Sequence, residues 1–82
     1  MDNKVPVSKR LKEARIAAGL SQKQLGIAAG IDEFSASARM NQYETAKHIP
    51  DYLTLKNIGK VLGCPVAYFY AENDELAHVL MA

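Results

Sequence analysis

The sequence predicts an all-α protein built from five to six short helices around one core. Three observations predict it. Apolar residues recur at helical intervals, as in Leu11, Ala14 and Ala18 or Leu55, Ile58 and Leu62. Helix-start and helix-stop residues punctuate those stretches, most clearly Ser21 with Gln24 and the glycines at 19, 30 and 63. No segment alternates apolar and polar residues in the manner of a half-buried strand. The composition agrees: apolar residues are 49% of the chain and there is no Trp, which suits a core of Leu, Ile, Val and Ala and argues against disorder.

The first helix is expected over residues 8–18, with Leu11, Ala14 and Ala18 on its apolar face. Gly19 and then Leu20 read as a glycine stop with its hydrophobic follower. Lys9, Arg10 and Lys12 fall on other faces, toward water or an anion. The second helix runs over 22–29. Ser21 and Gln24 form a capping box, in which the Ser21 hydroxyl accepts from the Gln24 N–H and the Gln24 side chain accepts from the Ser21 N–H. Leu25, Ala28 and Ala29 share an apolar face, and Gly30 closes the helix. A helix of about eight residues does not hold its shape alone in water, so this one must lie on neighbours.

A third helix covers 39–44, with Met40 and Tyr43 facing inward and Arg39 and Gln42 outward. Asp32, Ser35 and Ser37 all qualify as its N-cap. Ser37 is preferred, which leaves residues 31–36 as a longer turn plugged by Phe34. Pro50 and Asp51 open a fourth helix whose stripe is Tyr52, Leu55, Ile58, Gly59 and Leu62, ending at Gly63. Pro65 opens a short fifth helix through Val66, Tyr68 and Phe69. Asn73 or Asp74 then caps a terminal helix with Leu76, Val79 and Leu80 on one face.

Eighty-two residues read as a single domain, 1–82, with a core unit over 7–69 and a C-terminal helical extension over 70–82. A large catalytic cleft does not fit this size. Cys64 is the one cysteine, so no intrachain disulfide forms and a reducing compartment is expected. No apolar run reaches the ~18 residues of a membrane span, and residues 1–7 are polar and proline-containing rather than a signal peptide. The expectation is a soluble, cytoplasmic chain with no membrane partner. The net charge of +1 hides an asymmetry: residues 1–62 carry ten Lys and Arg against six acids, whereas 63–82 carry three acids and no Lys or Arg. A basic body with an acidic tail permits a polyanionic partner.

Cys64, His48 and His78 lack the four-ligand spacing that zinc requires, so no metal is expected. There is no nucleophile with a matching base, no phosphate loop and no dinucleotide signature; the chain reads as no enzyme and needs no cofactor. Gly26 and Gly30, like Gly59 and Gly63, have the spacing of a membrane-dimer motif. Their charged neighbours make them close-packing and helix-stop glycines instead.

Two short helices joined by a turn, over 20–30 and 39–44, are the reading unit of many DNA-binding proteins. The residues resemble the Cro and lambda-repressor-like, or Xre-like, helix-turn-helix family over about 7–69. The resemblance rests on Leu11 and Arg15, Gly19-Leu20-Ser21-Gln22, Leu25, Gly30, Tyr43-Glu44, Pro50 and Leu55-x-x-Ile58-Gly59-x-x-Leu62-Gly63. It implies a lambda-repressor-like DNA-binding domain in which the second helix props the third in the major groove. One departure stands out. Gly30 to Glu44 spans fourteen steps, where the family usually spans about ten, so about four residues are extra between the paired helices. The insertion lies in 31–38, where it either extends the front of the recognition helix or lengthens the connection.

The resemblance assigns base contacts to the outward residues Ser37, Ala38, Arg39, Asn41 and Gln42, with Arg39 and Gln42 foremost. Arg can grip guanine, and Asn or Gln can grip adenine, each worth ~1–3 kcal/mol of discrimination. Phosphate contacts fall to Gln22, Lys23, Lys9, Arg10, Lys47 and His48, which would position the protein without specifying sequence. For each of these residues the plainer reading is a solvated polar face. Arg15 and Glu44 match the family's buried ion pair, a structural feature rather than a contact to DNA. Tyr68, Phe69, Tyr70, Leu76, Val79 and Leu80 offer either a dimer surface or the last part of the core. The implied function is a transcriptional regulator, a repressor binding double-stranded DNA as a homodimer. The rival is an antitoxin or protein-interaction module on the same fold.

Overall fold

The computed structural model describes residues 6–81, and among them every regular element is helical. All but Pro6 and Val7 of the polar leader lies outside the described residues, as does Ala82. The elements are α1 (Val7–Ala17), α2 (Gln22–Ala28), α3 (Ala36–Glu44), α4 (Tyr52–Leu62), a 3-10 turn (Val66–Tyr70) and α5 (Asp74–Met81). No helix among them is long and apolar enough to cross a membrane.

Local chemistry sets most of the boundaries. At α2 the capping box is complete: Ser21 Oγ accepts from the Gln24 N–H at 2.9 Å and Gln24 Oε1 accepts from the Ser21 N–H at 2.8 Å. Asp51 caps α4 by accepting from the Thr54 N–H at 2.8 Å, and Asn73 caps α5 by accepting from the Leu76 N–H at 2.7 Å. Both α1 and α2 end at a glycine with positive φ, Gly19 and Gly30. The N–H beyond each glycine reaches back to a helix carbonyl, Leu20 to Arg15 and Ile31 to Gly26.

Leu11, Leu25, Met40, Leu55, Ile58 and Phe69 are fully buried and come from every element except α5. The helical stripes of α1, α2, α3 and α4 therefore converge on one core. α2 and α3 come closest. A Cβ placed on Gly26 would sit 2.8 Å from the Ala36 Cβ and 3.0 Å from the Ala36 carbonyl oxygen, so glycine is what lets these two helices touch.

Several expectations are corrected. Ser37 is not the N-cap of α3; the helix begins at Ala36 behind Ser35, which makes no side-chain cap bond, because the connection from α2 closes earlier than the polar pattern suggested. Phe34 is no plug but is 95% exposed. Ala18, which caps the C-terminal end of α1, and Tyr52 on α4 lie at the surface rather than in their expected stripes. Tyr68 and Phe69 are core residues, stacked edge to face with ring centroids 5.4 Å apart, and so are withdrawn from the candidate dimer surface. On α5 the buried residue is Ala77; Leu76 and Val79 are exposed and Leu80 is half-buried.

Arg10 is also corrected. It is 2% exposed, donating from Nε to the Ala71 carbonyl at 3.0 Å and from Nη1 to Glu13 at 3.0 Å and Asp74 at 2.9 Å. It clamps the start of α5 to α1 and is not offered to a phosphate. Lys9 reaches the same carboxylate at 3.5 Å. Arg10, and then Lys9, hold the Asp74 carboxyl below the usual aspartate range.

Gly26→Ala tests the α2–α3 approach. Alanine gains ~1 kcal/mol of helix propensity, but overpacking against the Ala36 backbone costs about 1–3 kcal/mol, so a net loss of about 1 kcal/mol is expected in urea unfolding. An unchanged or higher unfolding midpoint would contradict the close approach.

Candidate nucleic-acid interface

The candidate surface is the outer side of α3. Ala36, Met40 and Tyr43 are its buried residues, at helical spacing, which turns Ser37, Ala38, Arg39 and Asn41 outward into solvent and leaves Gln42 half-buried at the margin. Arg39, Gln42 and His48 line one shallow groove of about 400 Å³ together with Tyr43, Ile49 and Asp51. Lys47 is exposed beside His48 in the segment after α3.

That segment is turned sharply. Ala46 has φ +63°, and the Lys47 and His48 N–H groups both return to the Gln42 carbonyl, at 2.9 and 3.2 Å. The left-handed conformation is costly for alanine, by about 1–2 kcal/mol, yet it ends the helix at Glu44 and brings His48 back against the α3 face.

Behind the face stands a hydrogen-bonded brace. Arg15 of α1 grips the Glu44 carboxylate with two nitrogens, Nε to Oε2 and Nη2 to Oε1, the latter at 3.1 Å. Its remaining nitrogen, Nη1, donates to the Leu20 carbonyl at 2.8 Å. Gln22 of α2 donates its amide to Glu44 Oε1 at 3.1 Å and to Asn41 Oδ1 at 3.3 Å. The Arg15 and Glu44 side chains are 13% and 3% exposed, so solvent screens this pair poorly. One carboxylate thus joins α1, α2 and α3.

The brace alters what two site residues offer. Both Gln22 amide protons are engaged, so its side chain has only an oxygen left, which cannot donate to a phosphate. Asn41 keeps its amide nitrogen and one oxygen lone pair for other partners. Lys23 is exposed on α2 next to Gln22. Lys9 and Arg10 are not brought to this surface; they meet Asp74 of α5. Among the described residues no cluster of His, Cys, Asp and Glu has the makings of a metal site.

A solved structure described as the crystal structure of transcriptional regulator BswR superposes on this fold with a TM-score of 0.85. The two chains are 55% identical, over 90% of this chain and 73% of that one. The chain belongs to the same family as that regulator. No family model matches the sequence, and no curated protein matches it.

One contributor to the α3 groove is not assigned to the site by the sequence. Asp51, which the sequence marks only as part of the opening of α4, also forms a wall of that groove. Because the outer α3 face depends on the brace behind it, Glu44→Ala should destabilise the protein by about 3–5 kcal/mol, through the uncompensated Arg15 charge it leaves. Chemical denaturation measures this; a loss under about 1 kcal/mol would contradict the role given to the pair.

Proposed function

We propose that this chain is a sequence-specific DNA-binding transcriptional regulator of the Cro and lambda-repressor-like type. It acts as a repressor by occupying an operator. The observation that carries the reading is the row of hydrogen-bonding and small side chains, Ser37, Ala38, Arg39, Asn41 and Gln42, held outward on a helix braced from behind by Glu44. An α-helix fits the major groove, and these residue types match its donor and acceptor pattern. Membership in a family with a transcriptional regulator supports the same reading.

In this proposal Arg39 and Gln42 read bases, because they share the groove side of α3. Lys23, Lys47 and His48 hold phosphates on either side. Two copies of the chain read half-sites about 34 Å apart. The exposed residues of the C-terminal part, Tyr70, Leu76 and Val79, supply the apolar patch for that pairing, and the half-buried Leu80 lies at its margin.

Site selection from a random DNA pool followed by fluorescence anisotropy tests the proposal. The selected duplex should bind far more tightly than random duplex, with affinity falling steeply as salt rises, and a paired site should bind better than a half-site. Arg39→Ala should cost about 1–3 kcal/mol on the selected site and relax preference at one base pair. Lys47→Ala should weaken all duplexes alike and lower the salt slope by about 1. Equal affinity for selected and random DNA at every salt concentration would overturn the reading in favour of a protein-interaction module.

A further inference from the structure

We propose that Phe34 is a specificity residue that reads the C5-methyl group of a thymine at the edge of each half-site. This rests on the DNA-binding reading of α3 and extends it. A single exposed apolar side chain is ordinary on a protein surface, but three features set this one apart. At 95% exposure it is the most exposed of the large apolar side chains described. Its backbone is also held in place. The Phe34 N–H donates to Asp32 Oδ2 at 3.0 Å, the Ser35 N–H donates to the Asp32 carbonyl at 3.0 Å, and Ile31 is tied by its N–H to the Gly26 carbonyl at 2.9 Å. The tip therefore projects from a closed turn that is anchored to α2.

The third feature is register. Phe34 precedes α3 by two residues, and Ser35 between them already has right-handed helical backbone angles. Ser37 and Ala38 lie three and four residues further on and Asn41 seven, the spacing of one helical stripe, and all three are exposed. Phe34 thus stands just ahead of these exposed residues, at the N-terminal end of α3.

The row is otherwise built for hydrogen bonding, with Ala38 as its small apolar member. In the major groove the apolar feature is the thymine methyl, and phenylalanine is among the side chains that contact it. Charge favours a base edge over the backbone. Asp32 and Glu33, the two residues before Phe34, are both exposed, and carboxylates set against phosphates would repel. Over the base edges a carboxylate is tolerated, and it can accept from cytosine N4.

Replacing each thymine of the selected site in turn by deoxyuridine removes only the methyl group. Wild-type protein should lose about fourfold in affinity at one thymine per half-site, the worth of one buried methyl-sized group. Phe34→Ala should bind the parent site about fourfold more weakly and be indifferent to that same replacement, and Phe34→Leu should keep part of the preference. Because the side chain is exposed, the melting temperature of Phe34→Ala should match wild type. A large drop would make the residue structural and overturn the proposal. Specific binding with the same deoxyuridine profile in wild type and Phe34→Ala overturns the thymine contact alone, including the case in which Phe34 serves a protein partner. Loss of all preference for the selected site in wild type overturns the DNA reading, and this inference with it.

Discussion

The Glu44 carboxylate is the point at which three helices are joined. It takes two donors from Arg15 on α1 and one from Gln22 on α2, and it terminates α3. A buried carboxylate with fewer partners would be costly, so each donor is needed to satisfy the charge as well as to tie the helices. The consequence is mechanical. The short α2 could not hold its own shape in water, yet here it is fixed at its first turn by Gln22 and at its middle by the contact of Gly26 with Ala36. Side chains on the far side of α3 are therefore displayed from a rigid base, which is what discrimination between similar ligands requires.

Rigidity is distributed unevenly. The α1–α2–α3 unit is locked by charge and by close backbone approach. The C-terminal part is held by Arg10 reaching the Ala71 carbonyl and Asp74, and by Ala77 as the buried residue of α5. Burying one alanine secures less apolar area than burying a leucine, so α5 relies on the Arg10 clamp. It leaves larger side chains, Leu76 and Val79, outside. Arg10 is thereby spent on holding the fold together rather than on the α3 surface.

What was legible in the sequence was local. The capping box at Ser21 and Gln24, the opening of α4 at Asp51, and the stops at Gly19 and Gly30 depend on residues within a turn of each other, and the structure contains all of them. The start of α3 was not legible, since three polar residues competed for the cap. Asp32 instead closes its own turn, and Ser35 takes the position without a side-chain bond. Arg10 was misread because two of its three partners, the Ala71 carbonyl and Asp74, lie 61 and 64 residues away, beyond the reach of periodicity. Tyr68 and Phe69 presented a true ambiguity: an apolar surplus near the end of a short chain describes a core and an interface equally well. For the candidate site, the inward face of α3 could be read from Met40 and Tyr43, and the outward face followed from it. The engagement of Gln22 with Asn41 and Glu44 could not, because it depends on how closely α2 meets α3.

The central claim, that the braced outer face of α3 is where DNA is met, is tested most directly by mapping amide chemical shifts of labelled protein during titration with its selected duplex. The expected result is that the large changes fall on Lys23, residues 34–42, Lys47 and His48, while α5 and the buried core stay still. Changes centred on α5 or on the outer residues of α1, with α3 silent, would contradict it.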